Sequence, residues 1–343
     1  MSNEYRFSPP DPTREQDHRI SVVNICAING VDQGIPVGER GQDIMEMGKT
    51  SALYTDALQQ GIADPVLVGI PHAGEYAPKD VVDRIVRPYA FVDGLDAGTA
   101  HIYSPREGEK YIAVRNKVSR LIADPNRGPR QFASGLGVGG VTWTTDLQEH
   151  PIYADGQEPT QEEMAHNVDA YYTPYYRGLH ALIASLHEKM EYQQILFLDA
   201  HSFPGTTDVP KIGLVAGEAK PLFIVGCRGN VKSSAEVTEL LTSALKRFAP
   251  DKDAFPEIYT HISDVVREDA QFGWGGARNV DYFGFPDGVN QTVHAPKIHA
   301  IQLETNMSAF FSDGKYHQAS LNAMRETIQK TVAFVGKKLR EMQ

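Results

Sequence analysis

Val66-Leu67-Val68-Gly69-Ile70-Pro71-His72-Ala73-Gly74-Glu75 and Ile195-Leu196-Phe197-Leu198-Asp199-Ala200-His201-Ser202 share one plan. In each, a short apolar run with the length of a strand buried on both faces leads to an imidazole. The same reading marks strands at 65–70, 111–115, 195–199, 212–216, 222–226 and 298–304. Helical patterns alternate with them at 160–190, 233–248 and 318–341. Strands alternating with helices predict an α/β fold: a mixed, mainly parallel central sheet flanked by helices. Ligands of such sheets bind outside the carboxyl ends of the strands. His72, Glu75, His201 and Glu304 are all expected at or just past such ends.

Local signals refine this plan. Thr160-Gln161-Glu162-Glu163 fits a capping box, in which Thr160 and Glu163 each satisfy a backbone N–H at a helix start. Pro174 is expected to kink or divide the helix that follows. Leu179, Leu182, Ile183 and Leu186 then form an apolar stripe at helical spacing, which reads as core. Residues 1–20 are polar, with Pro9, Pro10 and Pro12, and read as an N-terminal arm. Residues 21–343 read as one α/β domain without a long linker or repeat.

Composition narrows the function. The 343 residues are 41% hydrophobic and 22% charged, ordinary for a globular protein with a sizeable core. A formal net charge of -11 argues against nucleic acid or an anionic membrane as partner. No apolar run approaches the roughly 18 residues of a membrane helix. The N-terminal residues lack the apolar core of a signal peptide, and the two cysteines, Cys26 and Cys227, allow no disulfide framework. The expected location is the cytoplasm. The oligomeric state is not legible.

Two histidines and a glutamate delivered from strand ends suit a catalytic zinc ion, Zn2+, whose three protein ligands leave a fourth position open. His72, Glu75 and His201 are the expected metal ligands. Each alone has a plainer reading, as a loop residue or a hydrogen-bonded core histidine. Asp199, two positions from His201, is placed to orient a ligand ring. Glu304 ends the run His299-Ala300-Ile301-Gln302-Leu303-Glu304 and suits a general base beside a water of lowered pKa, or else a capped strand end.

Between these lies Arg115-Asn116-Lys117-Val118-Ser119-Arg120-Leu121-Ile122-Ala123-Asp124-Pro125-Asn126-Arg127, a basic stretch in an acidic chain. Its arginines suit a carboxylate or a developing oxyanion, the alternative being surface ion pairs of little worth. Ser134 to Thr142 is glycine-rich but has no P-loop or dinucleotide fingerprint, so no nucleotide is expected. The loops 134–145 and 258–297, the latter with Phe272-Gly273-Trp274-Gly275-Gly276, are candidate lids or pocket walls.

The motifs in this order resemble the N-formylglutamate amidohydrolase family, within the wider zinc carboxypeptidase and aspartoacylase group. The residues that carry the resemblance are Pro71-His72-Ala73-Gly74-Glu75, Ser119-Arg120 through Asp124-Pro125-Asn126-Arg127, Leu198-Asp199-Ala200-His201-Ser202 and Leu303-Glu304-Thr305-Asn306. The resemblance implies a phosphorylase/hydrolase-like fold and zinc-dependent amide hydrolysis. It implies His72, Glu75 and His201 as ligands and Glu304 as general base. It gives Arg120, Asn126 and Arg127 the substrate carboxylate or the polarised carbonyl; apart from the resemblance, a two-carboxylate substrate needs two cationic anchors, which Arg120, Arg127 and Arg115 can supply. Tyr175-Tyr176 stands where the family often has a Tyr-His pair, and 258–297 departs from the family pattern. The expected substrate is a small N-acyl amino acid, N-formyl-L-glutamate first. The rivals are a metallo-carboxypeptidase or peptidoglycan-type amidase, and a binding protein that hydrolyses nothing.

Overall fold

The structure is a computed structural model and describes residues 22–24, 56–87, 94–106, 108–128, 140–146, 149–205, 219–260, 262–269, 278–284, 296–312 and 315–343. The expected arm at 1–20, the strand at 212–216, most of the glycine-rich run and the Phe272–Gly276 segment lie outside the described residues.

Six strands form the central sheet: β2 (Val66–Ile70), β4 (Ile112–Arg115), β5 (Gln194–Phe203), β6 (Phe223–Gly226), β7 (Val266–Asp269) and β8 (Lys297–Asn306), in the order β4-β2-β5-β8-β6-β7. All neighbours run parallel except β6 and β8, which are antiparallel, so the sheet is mixed and mainly parallel as expected. β1 (Val22–Asn24) and β3 (Tyr76–Pro78) make a separate antiparallel pair. Helices α1 (Thr99–Tyr103), α2 (Gln161–Asn167), α3 (Thr173–Glu188), α4 (Ala235–Phe248), α5 (Arg278–Phe283) and α6 (Gln318–Glu341) accompany the sheet.

The apolar runs are unbroken because both faces of the central strands are covered. One core packs Leu67, Ile195, Phe197 and Ala300 with the α3 stripe of Leu179, Leu182, Ile183 and Leu186. The other packs Val66, Val68, Leu196, Leu198, Ile301 and Leu303 with Leu241 of α4 and Met324 and Ile328 of α6.

The capping box forms: Glu163 N–H donates to Thr160 Oγ1 at 3.2 Å, and Thr160 N–H to Glu163 Oε2 at 2.7 Å. Pro174 divides the helix by a π-helical turn, Val168–Tyr172, placed between α2 and α3. With no N–H, proline cannot continue the ladder, and the wider turn takes up the mismatch.

β5 is longer than its apolar run. It continues through Asp199 and His201 to Phe203, paired along its length with β8. The polar residues stay in the strand because they still find partners in the ladder and in the site. His201 and Glu304 are register partners, as are Asp199 and Gln302.

Candidate active site

Alternation along a strand puts every second side chain on one face. Asp199 and His201 therefore share a face, and so do Gln302 and Glu304 beside them. The consequences are direct contacts: Asp199 Oδ2 lies 3.0 Å from His201 Nε2, and Gln302 Nε2 donates to Glu304 Oε1 at 2.7 Å. All four are buried.

His72 arrives from β2 through a turn held by backbone contact. The N–H groups of Glu75 and Tyr76 both donate to Lys117 O at 3.0 Å. The Asn116 amide donates to Pro71 O at 3.0 Å and to Val118 O at 2.9 Å. The chains approach so closely that a Cβ on Gly74 would fall 1.9 Å from Val118 O. Only glycine fits there.

The two imidazoles meet edge to face, with ring centroids 4.7 Å apart. His72 Nδ1 and His201 Nδ1 are 3.1 Å apart, and Asp96 Oδ2 lies 3.2 Å from the first and 2.9 Å from the second. His72, Asp96 and His201 form the one metal-capable group of histidine, cysteine and acidic side chains among the described residues. Glu75 is buried but stands outside this group; the carboxylate that joins the histidines is Asp96. The reason is positional. Asp96 precedes α1, its N–H donates to His72 O at 3.1 Å, and Ser202 N–H donates to its Oδ2 at 3.3 Å, so the backbone brings its oxygen to both rings.

Ligands of a tetrahedral zinc at about 2.0–2.1 Å sit about 3.3 Å from one another. The three donor separations match that edge, and two imidazole nitrogens with a carboxylate oxygen are a donor set zinc accepts. Electrostatics point the same way. Burial works against charge on His201, but Asp199, Asp96 and Glu304 outweigh it and raise its pKa well above the usual value. Burial likewise opposes ionisation of Asp96, but His72 and His201 hold its carboxyl low. The pocket thus favours a positive charge at the point where the three atoms meet.

The outer nitrogens are held by a second pair of carboxylates. His72 Nε2 lies 2.8 Å from Asp124 Oδ1, as His201 Nε2 lies near Asp199. With a metal bound, protons kept on the two Nε2 atoms would leave each Nδ1 lone pair to face it; without metal, the raised pKa of His201 keeps a proton on its Nδ1, toward Asp96 Oδ2 at 2.9 Å. Asp124 is fully buried and also accepts from Asn126 N–H at 2.8 Å, from Arg120 Nη2 at 2.8 Å and Nε at 3.2 Å, and from Trp143 Nε1 at 3.3 Å. Burial alone would raise its pKa, yet Arg120 and His72 hold it well below the carboxylate range.

The basic residues divide. Arg120 stacks on Trp143, its guanidinium carbon 4.6 Å from the ring centroid, and reaches within 3.7 Å of Asp96 Oδ1. Asn126 Nδ2 lies 3.5 Å from His201 Nε2, while its buried Oδ1 has no hydrogen-bond partner among the described residues. Arg127 is part of the same field of charge, influenced by Asp124, Arg120 and Asp96. Arg115 is buried at the end of β4, in register with Ile70 and so one strand from the His72 turn. Burial pushes the Glu304 carboxyl up to about 7 despite the nearby His201.

Asp96 was not among the residues read from the sequence, nor was the role of Asp124. An acid within Leu95-Asp96-Ala97 and another after Ile122-Ala123 are signals of buried carboxylates, since unpaired ones are too costly to bury. Neither names its partner.

The architecture is similar to a solved N-formylglutamate amidohydrolase from Ralstonia eutropha JMP134, at TM-score 0.62 and 18% identity over 82% of this chain and 96% of that one. It is also similar to the gene product Atu2144 from Agrobacterium tumefaciens, at TM-score 0.53 and 15% identity over 82% of this chain and 93% of that one. At such identities the likeness is one of fold. No curated protein sequence matches this chain. The sequence family supplies the class, a hydrolase acting on amide bonds. The chain belongs to the N-formylglutamate amidohydrolase family, whose model it matches over residues 64–311.

Proposed function

We propose that this chain is a zinc-dependent amidohydrolase that hydrolyses N-formyl-L-glutamate to formate and L-glutamate. The observation that carries the reading is the convergence of His72 Nδ1, His201 Nδ1 and Asp96 Oδ2 within 3.2 Å of one another, in a member of this family. These three would hold the ion. When bound, such an ion polarises an acyl oxygen and lowers the pKa of water.

The chain's own residues supply the remainder. Glu304, whose raised pKa suits a base near neutrality, takes a proton from the attacking water. It returns that proton to the departing nitrogen as the C–N bond breaks. Arg120, fixed by Asp124 and Trp143, steadies the negative oxygen of the tetrahedral intermediate. Arg127 and Arg115 suit the two carboxylates of a glutamate derivative, and Asn126 offers an amide beside His201.

The test is metal analysis of the purified chain with amine release from a panel of N-formyl and N-acetyl amino acids. About one zinc per chain and preference for N-formyl-L-glutamate are expected. Preference for peptides would favour a carboxypeptidase-like role, and metal without turnover would favour a binding protein.

A further inference from the structure

Two tyrosines about one helical turn apart reach the loop that carries Asn126. Tyr172 OH donates to Arg127 O at 2.9 Å, and Tyr176 OH donates to Pro125 O at 2.7 Å. The one Tyr176 proton is shared between Pro125 O and Asn279 Oδ1, the latter 2.5 Å from the hydroxyl oxygen, and Asn279 Nδ2 donates to Asp199 Oδ1 at 2.9 Å. Asp199 in turn holds His201, and Asp124, the residue before Pro125, holds His72. A path of hydrogen bonds, one peptide link and, at Asp199–His201, an ion-pair contact of 3.0 Å therefore runs behind the two imidazoles: His72, Asp124, Pro125, Tyr176, Asn279, Asp199, His201.

The middle of this path is packed among aromatic rings. The Tyr176 ring stacks on Tyr172 at 4.8 Å and on Phe283 at 5.9 Å, with Tyr282 edge-on at 5.1 Å. Asn279 is fully buried on α5. The path matters because the two carboxylates belong to different elements, one to the loop after β4 and one to β5. Between the same parts Asn126 Nδ2 also comes to 3.5 Å from His201 Nε2.

We infer that Tyr176 and Asn279 form a positioning tie that sets the separation and ring direction of His72 and His201, and through them the affinity of the three-residue group for a divalent cation. The inference rests on the metal reading above. Its logic is that of ligand orientation. A ring whose outer nitrogen is held loses less freedom when its inner nitrogen binds, and outer partners of metal ligands commonly change affinity about 10–100-fold. Tyr176 stands two steps further out, so the lower figure applies.

The experiment is equilibrium zinc titration of the full chain, stripped of metal, by competition with a chromophoric chelator. It compares wild type, Tyr176→Phe, Asn279→Ala, the double variant and Tyr175→Phe, with thermal unfolding recorded for each. Tyr176→Phe removes one oxygen and keeps the ring packing. We expect its zinc Kd to rise about 10-fold. The double variant should lose little more than Asn279→Ala alone, because both changes cut one path. Tyr175→Phe should keep the wild-type Kd, since the Tyr175 hydroxyl has no hydrogen-bond partner among the described residues. An unchanged Kd in folded Tyr176→Phe, even with a lowered Tm, overturns the tie and leaves the metal reading standing. Fully multiplicative losses in the double variant overturn it as well. A wild-type chain that takes up no zinc overturns both. If Asn279→Ala does not fold, the Tyr176→Phe result decides alone.

Discussion

Replacing Asp124 by asparagine tests the site at its most concentrated point. On the Oδ1 side the carboxylate faces His72 Nε2 and Asn126 N–H, and on the Oδ2 side Arg120 and Trp143 Nε1. With Nε2 of His72 protonated, all of these are donors. An asparagine offers one acceptor oxygen and one donor NH2, so either orientation sets donor against donor. Pointing NH2 at Arg120 and Trp143 places it against a cation. Pointing it at His72 is the better choice, because the ring can move its proton to Nδ1 and accept on Nε2. That proton then sits where Nδ1 should bind metal. Removing one partner of a buried ion pair costs about 3–5 kcal/mol. Asp96 stays within 3.7 Å of Arg120 and the Arg120 side chain is 13% exposed, which favours the lower figure, about 3 kcal/mol. Urea unfolding of the metal-free chain should therefore show a lower midpoint at an unchanged slope. Zinc affinity, measured separately, should fall about 10–100-fold. A loss under about 1 kcal/mol together with wild-type zinc affinity would refute the assignment of Asp124 as the residue that orients His72.

Glu304→Gln should retain metal and lose about 10²–10⁴-fold in turnover, and the acidic limb of the kcat/KM profile, set by the Glu304 carboxyl, should vanish; near-normal turnover removes Glu304 from the mechanism. Gly74→Ala should cost about 3 kcal/mol and lower zinc content, because its Cβ meets Val118 O at 1.9 Å and the His72 turn must move; a wild-type Tm would contradict the close approach. His299 tests pH. Burial, helped by Lys297, lowers its pKa from 6.5 to about 4. In the fold its Nδ1 accepts from Ser234 N–H at 3.1 Å and its Nε2 faces Gln194 Oε1 at 3.2 Å, an arrangement of the neutral ring. Below pH 6.5 the unfolded chain takes a proton that the folded chain refuses, so this stabilisation is complete above 6.5 and is lost as pH falls toward 4. The loss is about 3 kcal/mol over the window, and His299→Gln should show a correspondingly shallower acid dependence in urea unfolding. Equal slopes for the two chains would argue against a neutral buried His299.

Strands β2, β4, β5, β6 and β8 and helices α2, α3, α4 and α6 were legible because their signals are local, whereas the short β1, β3, β7, α1 and α5 were not read from the sequence. Val66–Ile70 and the runs before Asp199 and Glu304 are apolar for the length of a strand, and Thr160 with Glu163 marks a helix start within four residues. The extension of β5 through His201 to Phe203 was not legible, since Asp199, His201 and Ser202 look like a loop until β8 pairs with them.

By itself the sequence determined the α/β class and singled out His72, His201 and Glu304 as candidate site residues at strand ends. Those properties follow from periodicity and from the cost of burying a polar side chain without purpose. Only the tertiary structure decided that Asp96 joins the two histidines while Glu75 stands outside their group, that Asp124 and Asp199 hold the outer nitrogens, and that Tyr176 and Asn279 link those carboxylates. Asp96 and His201 are 105 residues apart, and Tyr176 and Asn279 are 103. At such separations no spacing rule relates one residue to another, and the partner of a buried carboxylate is set by which strands the sheet brings side by side.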